Sequence, residues 1–189
     1  MSLIDNTYFV RERALPDNKY NSITDFINRY ENRIIYNLLG YELGKLVIAY
    51  NSETSEQRIK DIVEGKEYII NNDSTLYAAQ TSLVKVKWNG LVNSEKESLI
   101  ADWVFYWWCA ENDTPRVTNS GGAKAKLENA TNVGYTQKSV NAWNNLYYLY
   151  GYEDQPRVEP SAYNFLLENK TVYPEWVFKH FGNLNAWSL

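Results

Sequence analysis

The sequence predicts a mainly α-helical fold: a small helical bundle with a minor β-hairpin element, an extended N-terminal arm and a C-terminal aromatic tail. Three observations carry this reading. Apolar residues recur at helical spacing over most of the span 21–152, strict alternation is confined to one short stretch, and turn residues bracket both. The same pattern divides the chain into an arm (1–20), a helical core domain (21–152) with a β element at about 67–90 and a loop at about 113–134, and a C-terminal extension (153–189).

The opening stretch Thr7-Tyr8-Phe9-Val10-Arg11-Glu12-Arg13-Ala14-Leu15-Pro16 has neither period, and Pro16-Asp17-Asn18 signals a turn. Tyr8, Phe9, Val10 and Leu15 are costly to leave in water, so the arm is expected to dock, on its own domain or on a neighbour. Asn21 or Ser22 is placed to cap a helix whose stripe is Ile23, Phe26, Ile27, Tyr30, Ile34 and Leu38. Gly40 interrupts it, and Leu43, Leu46, Val47 and Tyr50 continue as a second short helix.

Ser55 to Glu64 reads as a third helix stopped by Gly65. Tyr68-Ile69-Ile70 and Leu83-Val84-Lys85-Val86-Lys87-Trp88 then read as a small β element, a hairpin or a loop pinned by one strand, with Val84, Val86 and Trp88 on one face. Ser94 and Glu97 have the form of a capping box and open the strongest helix, at roughly 94–111. Leu99, Ile100, Trp103, Val104, Tyr106, Trp107 and Trp108 cover most of its circumference, which makes it the central helix, and Asp102 then needs a polar face or a partner.

Asp113-Thr114-Pro115 ends that helix, and a small, polar, glycine-bearing loop follows. A helix at about 135–150 carries Val140, Trp143, Leu146, Tyr147 and Tyr150 and stops at Gly151; after Pro156 and Pro160, Ser161 opens a short one through Phe165 and Leu166. From Tyr173 to Leu189 the chain stays aromatic, whereas chain ends are normally polar, so this tail is expected to be tied down or bound.

Composition narrows the function. The chain holds 16 Tyr, 7 Trp and 6 Phe but 1 His and 1 Cys, a set suited to packing and binding more than to proton or metal chemistry. Net charge is −4, which argues against a protein whose work is gripping phosphates. No apolar run approaches a membrane span, and Met1-Ser2-Leu3-Ile4-Asp5 lacks the basic start of a secretory signal, so cytoplasmic synthesis and no membrane partner are expected. Cys109 follows two tryptophans in an apolar run and reads as a buried, inert thiol.

Chemical constellations are thin. Glu95, Glu97, Asp102 and Glu111 lie on or near the Trp-rich helix, but Glu95, Asp102 and Glu111 do not share a face. His180 stands alone, without the partners for a metal set or triad. Ser120-Gly121-Gly122-Ala123-Lys124-Ala125-Lys126 lacks the phosphate-loop spacing, and Lys85, Lys87 and Trp88 fit a lysine-guarded edge strand as well as a single-strand binder. No catalytic residue, cofactor or metal is expected.

The arm, the block Ile23-Thr-Asp-Phe-Ile-Asn-Arg-Tyr-Glu-Asn-Arg-Ile-Ile-Tyr-Asn-Leu-Leu-Gly-Tyr-Glu-Leu, and Trp88-Asn-Gly-Leu ahead of a Trp/Tyr-rich helix together resemble head-to-tail connector proteins of tailed bacteriophages, as in Bacteroidetes-infecting and crAss-like phages. The likeness spans roughly residues 7–150, and none of its motifs is chemically diagnostic. It implies a structural virion protein, assembled in the host cytoplasm and located in the neck between capsid and tail. Such subunits form a homo-oligomeric ring, often dodecameric, contact the portal and tail or other neck proteins, and let genomic DNA pass without specific binding. On that reading the interface residues are Tyr8 and Phe9 in the arm, Gly121 and Gly122 in the long loop, and Trp176, Phe178, Phe181 and Trp187 in the tail. The alternatives are a phage glycan hydrolase, acting as a wall-degrading enzyme, and a glycan- or single-strand-binding module.

Overall fold

The computed structural model describes residues 2–15, 20–70, 84–113, 135–156 and 158–180. Among these residues the chain forms six α-helices and one two-stranded sheet, as the periodicity predicts. Helix α1 (Tyr20–Leu39) and α2 (Tyr41–Ile48) are separated by Gly40, and α3 (Gln57–Glu64) leads through Gly65 into strand β1 (Lys66–Ile70). Strand β2 (Val84–Trp88), α4 (Leu99–Asp113), α5 (Tyr135–Tyr150) and α6 (Ala162–Glu168) complete the order.

Helix α4 is the centre. Leu99, Ile100, Val104, Phe105, Trp108 and Cys109 are buried around its whole circumference, and α5 and α1 pack along it. An all-round apolar helix has no stable place other than inside a core. Trp103 and Trp107 meet edge to face at 5.7 Å, and Trp107 stacks flat on Tyr30 of α1 at 5.2 Å.

The β strands pair antiparallel, with Lys66 opposite Trp88 and Ile70 opposite Val84. Tyr68, Ile70, Val86 and Trp88 point into the core, where Trp88 stacks on Phe165 of α6 at 6.1 Å. Lys85 and Lys87 are exposed on the other face, opposite Ile69 and Glu67. Alternation along β2 thus sorts the residues as expected.

Three elements differ from the sequence reading. Helix α1 already begins at Tyr20, so Asn21 and Ser22 lie inside its first turn and not ahead of it. Helix α4 begins at Leu99 and not near Ser94: Ser98 Oγ accepts from Ile100 N–H at 3.2 Å, and Asn93 Oδ1 accepts from Glu97 N–H at 3.0 Å. Lys96 has φ +61°, which no helix accommodates, so the Ser94–Glu97 box does not form. The N-terminal arm is not simply extended. It folds into two single-turn 3-10 helices, Asn6–Tyr8 and Arg11–Arg13, laid against the bundle.

The hairpin is tied to α3 by two glycines that face each other. Gly65 and Gly90 have φ of +94° and +84°; a Cβ on Gly65 would stand 2.4 Å from Trp88 O, and one on Gly90 would stand 2.5 Å from Val63 O. This close passage lets Leu91 and Val92 donate to Ile62 O and Val63 O at 3.2 and 2.8 Å, and Trp88 Nε1 to Ile62 O at 3.0 Å. Gly90→Ala must therefore bear both an unfavourable φ and a backbone clash. We expect it to lower the unfolding free energy by about 2 kcal/mol or more, read from the urea midpoint.

Candidate functional site

The N-terminal segment is held by two buried carboxylates. Glu31 of α1, 5% exposed, accepts from Ser2 Oγ at 2.7 Å and from the N–H groups of Leu3 and Ile4 at 2.8 and 3.1 Å. Asp102 of α4, 0% exposed, accepts from Arg13 Nη1 at 2.7 Å, and Arg13 Nη2 donates to Lys96 O at 2.6 Å. At and between these anchors Ile4, Tyr8 and Phe9 enter the core, as does Leu15 just beyond Arg13; Tyr8 OH donates to Asn93 O at 3.3 Å, and the Lys96 ammonium lies 4.5 Å from the Tyr8 ring centre. Asp102 thus has the partner that its position on the central helix demanded.

The segment leaves a cleft of about 490 Å³ where it meets the start of α4 and the end of α5, lined by Val10, Arg13, Glu97, Asp102, Tyr148 and Leu149 among others. Arg11 spans its rim to Glu97 at 3.5 Å. Glu111 is remote from it: nine residues beyond Asp102 on α4, roughly 13 Å along the axis, it pairs with Arg29 at 3.1 Å and accepts from Tyr30 OH at 2.7 Å. The acidic residues of the Trp-rich helix therefore do not converge on one point.

The C-terminal segment forms a strap across the far end of α1. Tyr173 is buried and its OH donates to Arg58 O at 3.0 Å, Arg58 pairs with Glu175, and Trp176 Nε1 donates to Leu38 O at 3.0 Å. Phe178 packs on Tyr163 at 4.5 Å and Tyr150 at 5.5 Å, and His180 meets the Phe178 ring edge-on at 4.8 Å. Tyr150 OH lies 2.6 Å from Lys179 O, which fixes the strap over the end of α5.

The predicted interface residues divide accordingly. Tyr8 and Phe9, 3% and 0% exposed, are buried on the chain's own core, so of the two docking places expected for the arm it takes its own domain, beside α1 and with the Tyr8 OH bonded to Asn93 O. Trp176 and Phe178 are half-buried on the same core. Gly121, Gly122, Phe181 and Trp187 lie outside the described residues, as does the 114–134 part of the long loop.

Sequence reasoning missed the rings and branches that do face solvent. Tyr41 is 63% and Val177 65% exposed, and the Val177 side chain sits over Gly40, the residue before Tyr41. Tyr41 stacks on Tyr36 at 5.5 Å with the Lys45 ammonium 5.7 Å from its ring centre. The available signal was the helical wheel of α2, which places Tyr41 away from the buried Leu43, Gly44 and Val47. No helix among the described residues is long and apolar enough to cross a membrane.

Comparison of the chain with protein-family models, with characterised proteins and with solved structures found no match in any of the three.

Burial pushes the Asp102 carboxyl up to about 6, against the pull of Arg13. The groups around it are Arg13 and Glu12 of the N-terminal segment, Glu97, and Lys138 of α5 across a small inner cavity. A folded-state pKa above the unfolded one means that the native state holds a proton the unfolded chain has lost. This contribution to stability is present at low pH and disappears as pH rises through about 6. Asp102→Asn removes the titration, so between pH 4 and 7 the variant should gain on the wild type by roughly 1–3 kcal/mol in urea unfolding. Trp176→Ala, which frees the strap, should cost about 2 kcal/mol in the same measurement.

Proposed function

We propose that this chain is a structural, non-catalytic subunit that assembles with copies of itself, as head-to-tail connector rings of tailed phages do, in the neck between portal and tail. The observation that carries the reading is the exposure of Tyr41 and Val177, both more than 60% exposed, at the α1–α2 junction, where Val177 of the strap lies over Gly40. A well-packed domain that leaves a tyrosine ring and a valine uncovered at one place has an apolar anchor to give a partner. Support also comes from the disposition of charge. Glu97, Asp102 and Glu111 are each matched to an arginine.

The partners in this reading are further copies of the chain, the portal, and tail or other neck proteins, with genomic DNA passing through the ring without being gripped. Tyr41 and Val177 replace Tyr8 and Phe9 as the residues proposed to meet a neighbour, and Trp176 and Phe178 become the support that holds Val177 in place.

The glycan hydrolase reading draws on one specific observation: Glu97 and Asp102 line the same cleft, and Asp102 has a raised pKa. Against it, Arg11 and Arg13 each occupy one of the two carboxylates.

Native mass measurement of the full chain tests the assembly. The wild type is expected to form a closed oligomer at micromolar concentration, and Tyr41→Ser combined with Val177→Ser is expected to weaken association by about tenfold or more. A wild type that stays monomeric as concentration rises contradicts the proposal.

A further inference from the structure

A closed ring needs two different patches on each subunit, because every copy meets one neighbour with the first and the other neighbour with the second. Tyr41 and Val177 supply a projecting patch. Its counterpart has to lie on another flank and offer a recess, since an aromatic anchor contributes most to binding when a pocket of the partner encloses it.

The cleft beneath the N-terminal segment has the required position. Tyr150 OH lies 2.9 Å from Asn37 O and 2.6 Å from Lys179 O, so this side of the end of α5 faces the end of α1 and the strap. Tyr148 and Asn145, which both line the cleft, lie roughly 160° and 140° round the helix from Tyr150 at about 100° per residue. The α1–α2 junction and the cleft therefore flank one end of the subunit on opposite sides, as a head-to-tail contact requires.

Its chemistry suits an uncharged aromatic ring. Val10 and Tyr148, 38% and 43% exposed, and the half-buried Leu149 form an apolar wall, and Asn145 offers an amide to a phenol hydroxyl. A volume of about 490 Å³ admits such a ring. The ionic groups are matched within the chain: Arg11 pairs with Glu97, Arg13 with Asp102, and Lys138 lines the small inner cavity beside Glu12 and Asp102. Three cations against three carboxylates leave no net charge for a charged ligand to meet.

The surroundings of the two patches carry opposite charge. Segments 41–48 and 176–180 hold Lys45 and Lys179 against Glu42, a net +1 with His180 neutral, and the Lys45 ammonium lies 5.7 Å from the Tyr41 ring centre. The stretch 151–160, which follows α5, holds Glu153, Asp154 and Glu159 against Arg157, a net −2. Complementary rims of this kind steer two copies into one register.

We infer that Tyr41 of one copy enters this cleft on the next copy, its ring against Val10 and Tyr148 and its hydroxyl toward Asn145, with Lys45 facing the acidic stretch after α5. The inference rests on the assembly reading and specifies its contact as head to tail.

Native mass measurement and sedimentation velocity of full-length variants test it. Tyr148→Asp, at an exposed position on the cleft side, should weaken association by about tenfold or more although Tyr41 and Val177 are intact. Val10→Asp should do the same and serves if Tyr148→Asp does not fold. Tyr41→Ser keeps a sound cleft and Tyr148→Asp keeps a sound Tyr41, so a mixture of the two should form 1:1 pairs and no larger ring. A wild type that stays monomeric overturns the assembly reading and this contact with it. If the wild type assembles and the cleft variants assemble as tightly, the contact alone is overturned and the cleft has another occupant. Absence of 1:1 pairs in the mixture up to about 200 micromolar, with an assembling wild type, overturns it equally.

Discussion

A helix that is apolar on every side has to be enclosed, and the enclosure of α4 sets the rest of the structure. Helices α1 and α5 cover two of its flanks. The start of α4 needs a further cover, and the N-terminal segment supplies it. Because Asp102 lies on this helix, the cover has to bring a cation. Arg13 meets that demand, and Arg11, with φ +57°, opens the second 3-10 turn that carries it. Together with Glu31, which holds Ser2 to Ile4, this buried carboxylate explains why a stretch with no helical or strand period has a defined course.

The helices and their ends were legible because local rules decide them. Gly40, Gly65 and Gly151 end helices where the periodic patterns stop, and Ser161 accepts from Asn164 N–H as the cap of α6. The alternation of β2 sorted Val86 and Trp88 from Lys85 and Lys87 because one face has to be buried. The start of α4 was not legible. The Ser94–Glu97 spacing satisfies a local rule, but Asn93 and the left-handed Lys96 close a loop there, and Ser98, hydrogen-bonded to Leu91 O at 2.6 Å, makes the actual turn into the helix. A tertiary contact overrode a local signal.

The candidate site was legible in part and for a related reason. That Asp102 needs a partner follows from the helix pattern; that the partner is Arg13, 89 residues away, does not. Aromatic residues near the chain ends marked where apolar surface needs covering, but not whose surface covers it. For Tyr8, Phe9 and Tyr173 the answer is the chain itself. Tyr41 and Val177, the most exposed of the large apolar residues described, come from two segments that meet only in the fold, at Gly40. A pair made by tertiary contact leaves no periodic trace in the sequence.

The isolated chain buries its N-terminal segment and its strap on its own core, and the proposed assembly would cover the junction of α1 and α2. Hydrogen–deuterium exchange of the full chain, free and assembled, distinguishes these directly. It predicts that residues 2–15 are protected in the free chain and unchanged on assembly, with new protection at 41–49 and 173–180. Residues 2–15 exchanging freely in the monomer and becoming protected only on assembly would contradict it.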